Sequence, residues 1–349
     1  MKMMNLEKNG QNGAKLLTDL IKDGDKIVAG VSGGPDSICM LDMMRELKER
    51  NIINFEIYVV HINHMIREEA IDDEKYVQNY CKKYNIEFFV KRADVQQIAK
   101  DNKIGTEEAG RKVRYDFFEE ILQKKGANKI AIAHNKNDKI ETIIMHLLRG
   151  SGLSGLKGIE PIRDNKYIRP IIECERQEIE QYCEERNLQP RIDKTNFENE
   201  YTRNKIRNIV IPYIKNEFNP NIIQTISRLS EVATEESDYI DLQAQKIYQK
   251  LLIQKSNFQI VLNLKEFNKQ ERVIQKRLIL KTIKKLMGST DRIEKVHIED
   301  IIKLCNNNVG NKYLTPNKNL KVLIKDKKIF FIKLNWLLLA CKIKIRKKT

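Results

Sequence analysis

The chain is 349 residues long, enough for two or three domains with a core each, and carries 64 Lys and Arg against 48 Asp and Glu. Its six cysteines (Cys39, Cys81, Cys174, Cys183, Cys305, Cys341) form no C-x-x-C pair and no Cys/His cluster, which argues against structural zinc, an iron–sulfur site or a disulfide framework. There is no signal-peptide core and no run near the roughly 20 apolar residues of a membrane span, so a cytoplasmic protein without a membrane partner is expected.

Residues 1–24 read as a helix with Ala14, Leu16, Leu17, Leu20 and Ile21 apolar. Ile27, Val28, Ala29 and Val31 then form a short apolar run, as in a strand buried on both faces. Ser32, Gly33 and Gly34 turn the chain, and a helix starts at Pro35 or Asp36, its buried face marked by Ile38, Leu41, Met44 and Leu47. Strand, Gly-rich turn and helix N-terminus aim backbone N–H groups and a positive dipole end at one spot, which suits a phosphate. The same residues fit a G-x-S-x-G nucleophile elbow, but no downstream His has a suitable setting, and the Walker Gly-Lys-Ser/Thr is absent.

A second strand, Phe55–Val60, ends in His61-Ile-Asn-His64-Met-Ile-Arg67. A helix (Glu68–Tyr84), a strand (Ile86–Lys91), a short helix near Val95–Asn102 and a long one from Thr106 follow. Lys129–His134 is another strand and Asp138–Leu148 another helix. This alternation predicts an α/β fold with a doubly wound, mostly parallel sheet, whose ligands bind beyond the carboxyl ends of the strands. Ser32–Ser37, His61–Arg67 and His134–Asp138 all fall at such ends. Singly, each has an ordinary structural explanation. His61 and His64 could close a strand, Asp138 and Glu141 suit the positive end of a helix, and Glu107, Arg111 and Arg114 could pair along a helix surface.

Past Pro212 the pattern changes. Asn219–Gln254 reads as one long helix, Phe258–Leu264 as a strand, Glu266–Met287 and Lys295–Asn306 as helices, and Asn311–Leu334 as two or three strands. The expected division is a catalytic domain at 1–215, a helical linker at 216–256, a small α+β domain at 257–335 and a basic tail at 336–349. Residues 1–200 hold 33 basic against 35 acidic side chains, residues 201–349 hold 31 against 13. The excess therefore lies in the second part, which points to a polyanionic partner there.

Ser32-Gly-Gly-Pro-Asp-Ser37 resembles the SGGxDS pyrophosphate loop of the N-type ATP pyrophosphatases (the PP-loop superfamily). The ordered set over residues ~25 to ~215 resembles the tRNA(Ile)-lysidine synthase family more specifically. It comprises His61–Arg67, Glu107-Glu-x-x-Arg111-x-x-Arg114-Tyr115, Ala133-His134…Asp138…Glu141-Thr142, Arg149–Leu156, Arg169-Pro170, and Asp193…Asn196…Tyr201-x-Arg203-Asn204…Arg207.

The resemblance implies a ligase that uses ATP and Mg²⁺ to join L-lysine to the wobble cytidine of an isoleucine tRNA, releasing AMP and pyrophosphate. Ser32, Gly33, Gly34, Pro35, Asp36, Ser37 and His61 would hold ATP. Asp36 and Asp138 would hold Mg²⁺ and, with Arg111 and Arg114, carry catalysis. His64, Arg67, Glu107, His134, Glu141, Arg203, Asn204 and Arg207 would bind substrate, and a homodimer is one arrangement left open. Asn135 departs from the family, many members of which have a second His there. Members often carry one more small domain, for which the sequence past Leu334 leaves only the tail Lys342–Lys348. The carboxylate that deprotonates lysine is not assigned. Other readings are a PP-loop 2-thiolase, which usually brings paired cysteines, and a catalytically silent RNA-binding protein, which would have no chemical reason to keep Asp36 and both serines.

Overall fold

The computed structural model describes residues 11–65, 70–191, 202–307 and 312–334, in two compact units divided between Ala233 and Thr234. The first unit contains α1 (Gln11–Leu20), β1 (Lys26–Gly30), α2 (Pro35–Glu49), β2 (Glu56–Asn63), α3 (Ala70–Lys83), β3 (Glu87–Arg92), α4 (Val95–Asn102) and α5 (Thr106–Lys125). It continues with β4 (Lys129–Ile132), α6 (Lys136–Leu148), α7 (Leu153–Leu156), β5 (Ile162–Arg163), β6 (Tyr167–Ile168) and α8 (Arg176–Glu185). After α9 (Thr202–Lys205) come a π-helical turn (Ile206–Val210), α10 (Ile211–Glu217) and the start of α11 (Ile222–Leu251).

The strands lie in the order β3-β2-β1-β4-β6-β5, parallel throughout except for the β5–β6 hairpin. Along β1 successive side chains go to opposite faces. Ile27 and Ala29 enter a core with Leu17, Ile38, Leu41 and Met44, while Val28 meets Phe117, Phe118 and Ile130. That two-sided burial explains the continuous apolar run in the sequence. At Gly30 a Cβ would come within 2.5 Å of the Phe118 ring, so glycine here lets α5 pack against the strand end. The chain runs outward from β1 through β2 to β3, then returns on the other side as β4. The loops after β1 and β4 therefore flank a topological switch point, where an open α/β sheet leaves its ligand crevice.

Two short features escape period counting. The β5–β6 strands are two residues each, too few for alternation to show, and α6 starts at Lys136, two residues before the expected Asp138, with Asn135 as its N-cap.

The second unit holds β7 (Leu252–Lys255), β8 (Gln259–Asn263), α12 (Leu264–Asn268), α13 (Arg272–Met287), α14 (Lys295–Asn306), β9 (Tyr313–Asn317), β10 (Leu320–Lys325) and β11 (Lys328–Lys333). The strands form an antiparallel sheet in the order β7-β8-β11-β10-β9, whose core joins Ile260, Leu262, Leu278, Ile279, Ile301, Val322 and Phe331. Two expectations are corrected here. Leu252–Lys255 is a strand, not the end of the long helix, because its two apolar residues fit either period and pairing with β8 decides. The expected helix 266–287 is broken, since Gln270 N–H turns back to Phe267 O, and the Gln270 and Gln275 amides take the Glu266 and Phe267 carbonyls.

Candidate active site

The loop after β1 is shaped by its own last serine. Ser37 Oγ accepts from the N–H groups of Ser32 and Gly33, both at 3.2 Å, and donates to Gly34 O at 3.0 Å. Gly33 sits at φ +97°, where a side chain would strain the backbone. Gly34 is the extended N-cap of α2, and Pro35 occupies the first helical turn, where a missing N–H costs nothing. Ser32 is exposed and Ser37 buried, so the first serine faces the crevice and the second organises the turn.

Across the crevice, Asn135 links the two loops. It closes a capping box with Asp138: Asn135 Oδ1 accepts from Asp138 N (2.9 Å), and Asp138 Oδ2 accepts from Asn135 N (3.1 Å). Its side-chain amide also donates to Asp36 Oδ1 at 2.8 Å. Burial pushes the Asp36 carboxyl above the usual range and the Asp138 charge adds to this, against the Asn135 hydrogen bond and the charges of Arg176 and Arg207. One turn along α6, Glu141 is 1% exposed and accepts from Arg203 Nε (2.8 Å), Arg207 Nε (2.6 Å) and Arg207 Nη2 (2.8 Å). Asp138 Oδ1 pairs with both arginines as well, at 3.2 and 3.0 Å. The π-helical turn follows Lys205 directly, and Arg203 and Arg207 bracket its start; such turns recur at functional sites.

Burial lowers the pKa of each of the three histidines His61, His64 and His134. His61, 3% exposed, donates from Nδ1 to Val31 O at 2.8 Å, which ties the end of β2 to the start of the loop; burial lowers its pKa. His61 therefore steadies the glycine loop from behind. His64 lies over Gly110 of α5, with a buried Nδ1 that has no hydrogen-bond partner among the described residues. Burial, then the charges of Arg114 and His61, brings its pKa to about 4. His134 accepts at Nδ1 from Arg169 Nε (3.2 Å), and burial together with the charges of Arg169, Arg203, Arg111 and Arg114 lowers it to about 3. These arginines thus converge on the loop after β4, and Arg114 is itself pushed down by loss of water and by Arg111. Glu107, exposed on the first turn of α5, is a counter-charge to Arg114.

The structure thus brings together Asp138, Glu141, Arg203 and Arg207 through direct bonds, Asp36 to them through Asn135, and His64, His134, Arg111 and Arg114 through their mutual fields. Asn204 lies half-buried in α9 beside them. Arg67, Asp193, Asn196 and Tyr201 lie outside the described residues. Three residues were not read as site residues from the sequence. Asn135 could have been found as Asn-x-x-Asp before an apolar run, Arg169 stood in the Arg169-Pro170 segment of the resemblance without a role, and Arg176 acts on Asp36 only through the fold.

Two hard carboxylates, one held by the side chain and one by the backbone N–H of Asn135, fit a divalent cation, with Asp36 the less compensated of the two. Among the described residues no third His, Cys, Asp or Glu joins them, so phosphate oxygens or water would complete the coordination.

A PP-loop domain model matches residues 6–214. The tRNA(Ile)-lysidine synthase of Clostridium acetobutylicum is 46% identical over 85% of this chain and 64% of its own length. That of Clostridioides difficile is 46% identical over 89% of this chain and 67% of its own. The chain therefore spans about two thirds of the length of these relatives. Among solved structures, the U34-tRNA thiolase NcsA from Methanococcus maripaludis, with its [4Fe-4S] cluster, superposes with a TM-score of 0.52 over 64% of this chain and 80% of that one. At 19% identity this likeness speaks to the fold alone.

Proposed function

We propose, since the chain belongs to the PP-loop family and within it to the tRNA(Ile)-lysidine synthases, that it joins L-lysine to the wobble cytidine of an isoleucine tRNA at the expense of ATP. The observation that carries this reading is the single crevice in which Asn135 binds both Asp36 of the glycine loop and Asp138 of α6, with the arginines facing it.

In this reading the α2 N-terminus and the Ser32–Gly34 backbone hold the pyrophosphate end of ATP, where N–H groups and helix dipole favour anions. Asp36 with Asp138 would hold Mg²⁺, which would supply screening of the phosphate charge. The cytosine carbonyl oxygen attacks the α-phosphorus, the bond to the β-phosphate oxygen breaks, and pyrophosphate leaves. Arg111 and Arg114 offset the charge that grows on the α-phosphate. The lysine ε-amine then forms a C–N bond at the activated carbon, loses a proton, and AMP departs with the former carbonyl oxygen. Neutral His64 and His134 offer hydrogen bonds without adding positive charge against the incoming ammonium. The basic C-terminal part supplies tRNA affinity through phosphate contacts. Among the described residues no helix is long and apolar enough to cross a membrane.

Incubation with ATP–Mg²⁺, radiolabelled lysine and unfractionated tRNA tests this. Lysine label should appear in tRNA, and only with ATP present; its absence with folded, ATP-binding protein would reject the reading.

A further inference from the structure

Charge in the second unit is unevenly matched. On α13, Arg272 and Lys276 pair with Glu299, and Arg277 lies 3.6 Å from Asp241. Farther along the same helix Lys281 and Lys285 stand one turn apart on one face, and Lys255, at the end of β7, joins Lys281 in acting on the Lys285 ammonium. None of the three pairs with a carboxylate among the described residues. Lys285 Nζ sits 4.2 Å from the ring centroid of Tyr248, a side chain 1% exposed in the core of the unit. The ring holds the ammonium in place from below by cation–π attraction. Partial loss of water, then the charges of Lys281 and Lys255, holds Lys285 below the usual lysine range. Three like charges on a strand and a helix of one packed unit, uncompensated beside neighbours that are compensated, leave a repulsion that a bound anion would remove.

We propose that Lys255, Lys281 and Lys285, braced by Tyr248, form a phosphate-binding site that grips the sugar–phosphate backbone of tRNA. The site rests on the proposed function for its partner and on the structure for its chemistry. Lysine suits it as a point charge on a flexible stem, which favours phosphates without reading sequence. Counterion release makes each such contact visible in the salt dependence of affinity.

The test compares two double variants of the full chain that remove equal charge from one helix, Lys281→Gln/Lys285→Gln and Arg272→Gln/Lys276→Gln. Binding of unfractionated tRNA is followed by filter retention through a salt titration, with circular dichroism and ATP binding as checks of the fold. The first variant should lose about tenfold in affinity at low salt, and its log–log slope should fall by about 1.4–1.8, that is 0.7–0.9 per phosphate contact. The second should lose less than half as much, and Lys281→Arg/Lys285→Arg should bind as the parent does. Equal losses in the two Gln variants, or none in the first, would overturn the site, because the charge would then act only diffusely. If inorganic phosphate binds the parent and not the first variant while tRNA affinity is unchanged, the ligand is a small anion and the tRNA assignment is wrong. A parent that binds no tRNA at any salt overturns the functional reading, and the site's assignment with it.

Discussion

Replacing Glu141 with Ala removes the acceptor of three hydrogen bonds from two guanidinium groups, at a position 1% exposed. Taking one partner from a buried ion pair costs about 3–5 kcal/mol, because the other charge is left unpaired. Two features lower the figure here. The Arg203 side chain is 34% exposed and can turn to water, and Asp138 Oδ1 still receives both arginines. We therefore expect a loss of about 2–3 kcal/mol, which for a unit of this size is a fall in melting temperature of about 5–10 °C. Glu141→Gln keeps an oxygen acceptor and should recover about half of the loss. Urea unfolding monitored by fluorescence and by far-UV circular dichroism measures both. Turnover should fall further than stability alone accounts for, since Arg203 is one of the charges facing His134. A Glu141→Ala variant less than about 0.5 kcal/mol below the parent would refute the reasoning. The α9 and π-helical segment would then be held on α6 by its apolar contacts, Ile206 and Ile211 against Ile140 and Ile144.

Asp36→Asn should fold and melt like the parent but show no lysine incorporation, since the loop loses its metal-directed charge; wild-type incorporation would remove Asp36 from the mechanism. Asn135→Ala should cost about 1 kcal/mol through the lost helix cap and also weaken Mg²⁺–ATP binding, whereas Asn135→Ser should restore the cap alone, as calorimetry of unfolding and of ATP binding would separate. For Gly33→Ala the added Cβ meets only an ordinary contact, Val77 Cγ2 at 3.5 Å, so the penalty comes from φ +97° and should be about 1–2 kcal/mol with weakened ATP binding; unchanged ATP affinity would show that the loop is not used in this conformation. His134 at about 3 and His64 at about 4 are below the unfolded value near 6.5, so the unfolded chain binds more protons between these limits. Their contribution is full above pH ~6.5 and lost as pH falls toward the folded values, and His134→Gln should flatten the acid limb of a stability–pH curve.

Much of the first unit was legible because its signals are local. The run Ile27–Val31, the glycine turn and the Ile38/Leu41/Met44 stripe each fix one element, and alternation of strands with helices fixes the sheet. The β5–β6 hairpin was not, since two-residue strands carry no period and exist only through pairing with β4. Leu252–Lys255 failed for a related reason, its state being chosen by β8. Within the site, the resemblance named Asp36, His134, Asp138, Glu141, Arg203 and Arg207, but nothing local in the sequence says which of them pair. The Arg169 bond to His134 spans 35 residues, and the Asn135 bond to Asp36 spans 99, so only the folded sheet creates them. His61, expected among the ATP-holding residues, also ties the end of β2 to the loop through the Val31 carbonyl, a bond between strands that no local pattern announces.

The central claim, that ATP activates the cytosine carbonyl oxygen in the crevice between the β1 and β4 loops, is tested most directly by isotope transfer. A tRNA substrate carrying ¹⁸O at the carbonyl of its wobble cytosine is converted with unlabelled ATP and lysine, and the nucleotide product is analysed by mass spectrometry. The account predicts that the ¹⁸O leaves with AMP, one label for each lysine joined, and that Asp36→Asn produces no labelled AMP. Lysine-modified tRNA accompanied by unlabelled AMP, or by ADP and phosphate, would contradict it.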